Sequence, residues 1–246
     1  TPWLKLYSFK LFDKHFLEIA PYFLALRTVT RESLRFFLDR SESIEKFFGQ
    51  EQPDYPLHDN SDNAAYSNMM NLVTHMGDIP EEKSMKGAVI SVYLFRCLQH
   101  AQYFKYHVPE KLKGDRKLHK YETFMLKLLH HLVFVMIHNV QPVKTLITVP
   151  GKFFWEKMGL SLNPSFSLVN HNCDPNAFIF NMENQVLLVA ASHIHEGEEI
   201  CISYVPTYLV MAREQRELLL LRNYEFQCEC SACVHREAVH SLNFVI

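Results

Sequence analysis

Asn170-His171-Asn172-Cys173-Asp174-Pro175-Asn176 is the stretch on which the reading of this chain turns. It follows an apolar run, Phe166-Ser167-Leu168-Val169, yet Asn, His and Asp are poor strand formers. Asp174-Pro175-Asn176 breaks the run and turns the chain. Taken alone, the stretch fits a polar turn with one buried histidine as well as it fits a functional loop. Downstream, Gly197-Glu198-Glu199-Ile200-Cys201-Ile202-Ser203-Tyr204 joins a glycine turn to an alternating strand that ends on a tyrosine. A lone tyrosine at a strand end is ordinarily a half-buried ring with its hydroxyl in water, so this segment is also ambiguous by itself.

The third segment is chemically sharper. Cysteines stand at 97, 173, 201, 228, 230 and 233, and the last three form a C-x-C-x-x-C pattern. That clustering favours metal ligation in a reducing compartment over a secreted disulfide framework. Zinc takes four tetrahedral ligands, with sulfur at about 2.3 Å, so a fourth ligand must come from elsewhere. Cys173, Cys201, Cys97 and His235 are the candidates; the bland alternative is three buried thiols that bind nothing.

Composition narrows the class. The chain has 246 residues, 48% of them hydrophobic, enough for one sizeable core or a core plus a helical subdomain. With 19 Phe, 11 Tyr and only 7 Gly it reads as packed domain rather than linker. A net charge of −2 gives no basic field, so direct nucleic-acid binding is not expected. No apolar run reaches the roughly 18–20 residues of a membrane span. The start, Thr1-Pro2-Trp3-Leu4-Lys5, lacks the features of a signal peptide, and the absence of an initiator Met reads as a fragment.

Organisation changes near Gln141-Pro142. Before it, apolar residues at helical spacing predict helices across 11–48 and at about 65–76, 81–106 and 117–138. Pro21 is expected in a first turn or at a kink, Thr30–Ser33 as a helix start, and 49–64 as a loop. His130–His138 reads as a buried helix end. After it, short β-branched and aromatic runs predict strands at 144–149, 166–169, 177–181, 185–192 and 199–203. Turns are expected at Met182-Glu183-Asn184 and His195-Glu196-Gly197. A last helix over about 209–222 carries Leu218, Leu219 and Leu221 on its apolar side. His193 and His195 alternate along a strand beside the turn and are not expected to have a functional role.

The order N-H-x-C-x-P-N, then G-E-E-x-x-x-x-Y, then C-x-C-x-x-C resembles the SET domain of protein lysine methyltransferases. The helical region before it resembles the SET- and MYND-domain (SMYD) family, particularly its insect-type members. Residues 141–235 match specifically and 1–140 loosely. The resemblance implies an α+β fold: small SET sheets, a large helical N-terminal and insert region over 1–140, a SET core over 141–205, and a post-SET helix with a zinc cluster over 206–246. It implies S-adenosylmethionine and Zn2+ as cofactors. Ser167, Asn170 and His171 match cofactor-contacting positions, and Phe226 the ring that packs on the adenine. Tyr204 matches the catalytic tyrosine, and Tyr224 a wall of the lysine channel. Cys173 matches the fourth zinc ligand, beside Cys228, Cys230 and Cys233. The expected partner is a protein lysine, on histone or other proteins, with a monomeric enzyme in the cytoplasm or nucleus.

Departures from the family pattern temper this. Asn172 replaces the usual serine, a mild polar change. No Gly-x-Gly segment and no MYND finger precede the motifs, and Asn139 is a weak counterpart of the usual channel segment. Truncation after the finger accounts for both, leaving an incomplete cofactor site and weak activity in the chain by itself. The competing readings are a non-catalytic SET-like zinc module that binds partners and an unrelated zinc scaffold.

Overall fold

The computed structural model describes residues 16–49, 64–108, 117–182 and 185–235. The chain divides into two compact units, Thr1–Gln141 with Gly159–Pro164, and Pro142–Met158 with Ser165–Ile246. The architecture is α+β. Helices fill the first unit, and three two-stranded sheets follow among the described residues.

Among the described residues of the first unit the helices are α1 (Phe16–Arg31), α2 (Leu34–Leu38), α3 (Ser41–Glu45), α4 (Ala64–Met70), α5 (Glu81–His100) and α6 (Lys120–Asn139). The sequence of α6 explains its central place. It is apolar nearly all round, so Phe124, Met125, Leu128, Leu129 and every residue from Leu132 to Met136 are buried. Both α1 and α5 pack on it. His119 starts it with a capping box: its ring accepts from the Tyr121 N–H, and its own N–H donates to Glu122. α5 approaches α6 so closely at Gly87 that a Cβ there would overlap the Phe134 ring. α5 ends in a Schellman motif. Gln102 takes the left-handed conformation, Tyr103 N–H reaches Leu98 O, and Gln102 N–H reaches Gln99 O.

β1 (Gln141–Val149) and β2 (Lys152–Ser161), joined through Gly151 at φ +78°, fall in the second unit except for Gln141 and Gly159–Ser161. A single turn, α7 (Pro164–Ser167), leads into β3 (Asn170–His171). β3 pairs in parallel with β6 (Cys201–Ile202), Asn170 opposite Cys201 and His171 opposite Ile202. β4 (Ala177–Met182) and β5 (Gln185–Ala190) form an antiparallel ladder from Ala177↔Ala190 to Met182↔Gln185. α8 (Arg213–Tyr224) and α9 (Ser231–Val234) close the unit.

Several expectations need correction. Residues 166–169 are not a strand: Pro164 suits the first position of a helical turn, which then runs through Ser167. The strand expected over 199–203 shrinks to Cys201–Ile202, because Asn176 caps Cys201 from the side. β2 was not anticipated. The helix placed at 65–76 stops at Met70, where the chain tightens into a turn with Leu72 N–H on Met69 O. The helix placed at 81–106 stops at His100, where the Schellman motif ends it. The last helix begins at Arg213 rather than 209 and buries Leu220 and Arg216, leaving Leu218 and Leu221 exposed. Pro21 lies inside α1. Ser33 caps α2 by accepting from the Phe36 N–H, as its start signal suggested. Gly197, at φ +83°, makes the expected turn, with Glu198 N–H donating to His195 O. Residues 183–184 and 50–63 lie outside the described residues, and with them part of one turn and of the 49–64 loop.

Candidate functional site

The parallel β3–β6 pair is only two residues long, so side chains must hold it in register. Asn176 does this: Oδ1 accepts from the Cys201 N–H at 2.9 Å, and Nδ2 donates to Glu199 O at 2.9 Å. Asn172 extends the ladder through its N–H to Ile202 O, while its Oδ1 accepts from the Asp174 N–H at 2.9 Å. That Asx turn reverses the chain and drives Cys173 inward. A serine hydroxyl can make the same kind of turn, which explains how Asn172 stands in for one.

His171 links two parts of the site. Its Nδ1 lies 3.0 Å from the Tyr204 backbone N and accepts that N–H. The neutral ring therefore carries its proton on Nε2, which lies 3.2 Å from Cys173 Sγ. Burial, with the Arg216 charge nearby, pushes the imidazole down to about 4 and keeps it neutral. Tyr204 Oη donates to Val169 O at 2.7 Å. Four rings gather here: Tyr204 lies 5.2 Å from His171, 4.8 Å from Tyr224 and 6.4 Å from Phe226, centroid to centroid. His171 and Phe226 are 5.9 Å apart. Burial raises the Tyr224 phenol, so its hydroxyl stays protonated.

Beside the rings sits the sulfur cluster. The Sγ atoms of Cys173, Cys228, Cys230 and Cys233 all lie within 4.8 Å of one another. Tetrahedral bonds of about 2.3 Å put sulfurs about 3.8 Å apart, and the Cys173 sulfur lies 3.5 Å from Cys233 and 4.0 Å from Cys228. The donor set therefore fits a four-thiolate metal ion. Glu225, in left-handed backbone, ends α8 and aims the chain at Cys228; Cys230 caps α9, whose turn carries Cys233. Burial pushes the Cys173 thiol up and Cys228 up to about 11. Burial also acts upward on Cys230, but hydrogen bonds from the Cys173 backbone and the Cys228 thiol bring it down to about 7. All six cysteines are free. Cys97, Cys201 and His235, the other ligand candidates, stand outside the group of four.

The rings and the sulfurs share one core. Cys173, Val205, Leu220, Cys228, Ala232 and Cys233 are buried together, with Tyr204, Tyr224 and Phe226 packed on them. Tyr208 N–H donates to Cys173 O at 3.0 Å, a further tie. Of the expected site residues, Tyr204, His171, Tyr224 and Phe226 come together, as do the four cysteines. The Asn170 carboxamide is exposed and donates to Glu199 Oε1 at 2.6 Å. Ser167 closes the α7 turn three residues upstream. Asn139 is buried in the first unit and donates to Val73 O and Val135 O. Asn176 and Arg216 were missed by sequence reasoning. Arg216 left one trace, a charged residue four positions before Leu220 on the buried face of α8.

Comparison with known proteins gives the family. The SET domain family model matches residues 39–205. Mouse histone-lysine N-methyltransferase SMYD3 is 40% identical over 78 residues, 32% of this chain and 18% of the mouse protein. A SET and MYND domain-containing protein of Dictyostelium discoideum is 42% identical over 80 residues, 31% of this chain and 22% of its own length. Bovine N-lysine methyltransferase SMYD2 is 32% identical over 80 residues, 32% of this chain and 18% of its own. The chain thus spans about a fifth of the length of the curated relatives it matches.

Proposed function

This chain belongs to the SET domain family, and from that premise we propose that it serves an S-adenosylmethionine-dependent protein-lysine N-methyltransferase. The carrying observation is the ring cluster around Tyr204, whose hydroxyl is fixed on Val169 O at 2.7 Å. In this reading residues 1–140 are the helical insert region, 141–205 the SET core and 206–246 the post-SET segment.

The donor set suits the cofactor. A sulfonium is attracted to π faces and carbonyl oxygens, and Tyr204, Tyr224, Phe226 and Val169 O supply both. When bound, S-adenosylmethionine provides an electrophilic methyl group. Tyr204 then positions the reacting groups, its hydroxyl held by Val169 O and its backbone by His171. Tyr224 and Tyr204 form an apolar wall that strips water from an incoming lysine and favours its neutral amine. His171, Asn170 and Ser167 would contact the cofactor, with Phe226 packing on its adenine. Zinc held by Cys173, Cys228, Cys230 and Cys233 would tie the β3 turn to the C-terminal segment and so fix His171 relative to Phe226. Free thiols at this density suit the reducing cytoplasm or nucleus. The substrate is a lysine on histone or other proteins.

The test is methyl transfer from labelled S-adenosylmethionine to histone and non-histone protein mixtures. Tyr204→Phe should lower turnover at least tenfold, on the order of losing one positioned donor, with zinc content unchanged. Asn170→Ala should weaken cofactor binding. If the wild-type protein binds no S-adenosylmethionine, the enzyme reading fails in favour of a zinc-tied interaction module.

A further inference from the structure

Arg216 is a buried cation that meets no carboxylate among the described residues. Only 1% of it is exposed, in the core of the second unit. Nη1 donates to Met211 O at 2.6 Å, and Nη2 points at Cys233 Sγ, 3.6 Å away. Nε is buried and finds no acceptor among the described residues. Among the described residues no Asp or Glu oxygen lies within salt-bridge distance of it, whereas its helix neighbour Arg213 reaches Glu217 at 2.6 Å. A guanidinium is always charged, and a buried unpaired charge is strongly disfavoured. The counter-charge must come from what it touches, and that is sulfur.

Four thiolates around a divalent ion leave a net charge of about −2. We propose that Arg216 is a charge-balancing positioning residue for the metal centre, its guanidinium donating a charged hydrogen bond to the Cys233 thiolate while anchoring the turn at Met211. This rests on the zinc reading above. The physical logic runs both ways. The cation stabilises sulfur as thiolate and so favours the metal-bound state, and the anionic centre makes a buried arginine tolerable. A neutral thiol cluster would leave Arg216 unpaired.

The test uses the full chain loaded with cobalt(II), whose sulfur-to-metal charge-transfer bands report on the thiolates. Wild type is compared with Arg216→Met and Arg216→Lys, with far-UV circular dichroism to verify the fold. Removing a cationic donor raises the energy of the sulfur lone pairs. Arg216→Met should therefore shift the band to lower energy and weaken zinc about 10- to 100-fold in competition with a chromophoric chelator. Arg216→Lys keeps the charge but not the fork, so it should fall between the two. An Arg216→Met protein that is folded, with wild-type band position and affinity, overturns the proposal. If that variant does not fold even with metal, Arg216→Lys decides: a shifted band supports the contact, and a band and affinity equal to wild type overturn it. Should wild type bind no cobalt at all, the zinc reading itself is lost, a result distinct from metal-bound variants that behave alike.

Discussion

Replacing Cys173 by serine tests the sulfur cluster where it matters most. Cys173 is fully buried, and its partners Cys228 and Cys233 lie 55 and 60 residues further along the chain. A cross-link closing a 55-residue loop removes about 14 cal/mol/K of unfolded-chain entropy, about 4 kcal/mol at 25 °C, and a metal clip acts by the same route. At 1.36 kcal/mol per decade that is close to three orders of magnitude in the folded-to-unfolded ratio. The assay is urea unfolding of the zinc-loaded chain followed by circular dichroism, reading the transition of the second unit. Cys201→Ser is the control, because Cys201 is buried but stands outside the group of four, and it should cost about 1 kcal/mol. Chelating zinc from wild type should bring it to the level of Cys173→Ser. A Cys173→Ser chain that unfolds at the control's midpoint, with zinc still bound stoichiometrically, would refute the loop-closure argument.

Two further outcomes concern the helical unit. Gly87→Ala gains about 1 kcal/mol of helix propensity, but overpacking against the fully buried Phe134 ring costs about 1–3 kcal/mol. The net effect is a loss of stability in chemical denaturation, and a stabilised variant would contradict the packing. Burial pushes His131 and His138 down to about 4; the neighbouring His130 charge adds to the first, and His75 and Lys83 add to the second. Hydrogen bonds to Met70 O and Phe134 O oppose the shifts in part. The unfolded chain, with histidines near 6.5, thus takes up protons that the folded one refuses. Stability of this unit should be full above pH 6.5 and fall between 6.5 and about 4, by at most about 1.4 kcal/mol per pH unit for each histidine. A urea midpoint unchanged from pH 7 to 4.5 would show that these rings are not buried neutral.

The sequence was most legible where the chemistry is dense. C-x-C-x-x-C favours a ligand cluster by itself, and the three motifs in order carry the family resemblance from which the fold was read. Local signals such as Ser33 and Gly197 read well because their bonds span only a few residues. What stayed hidden depends on contacts far along the chain. The two-residue β3–β6 pair has no periodicity to detect; it exists because Asn176 reaches Cys201 and Glu199 across more than twenty residues. Arg216 broke the apolar pattern of α8, so the helix looked as if Leu218 and Leu221 were its buried side. The choice of Cys173 over Cys201 as fourth sulfur came from the family resemblance, since spacing alone left both open.

The distance between the sulfurs has a consequence for synthesis. At about 5–20 residues per second, a ribosome needs about 3–11 s to travel the 55 residues from Cys173 to Cys228. Through that interval the Cys173 sulfur lacks its sulfur partners, although the backbone partners of the β3 turn, Cys201, Ile202, Tyr204 and Tyr208, are made before it ends. The rings of Tyr224 and Phe226 leave the ribosome in the same late stretch, so the aromatic walls and the sulfurs assemble in one final event. A nascent chain arrested before Cys228 would hold Cys173 with none of its three sulfur partners.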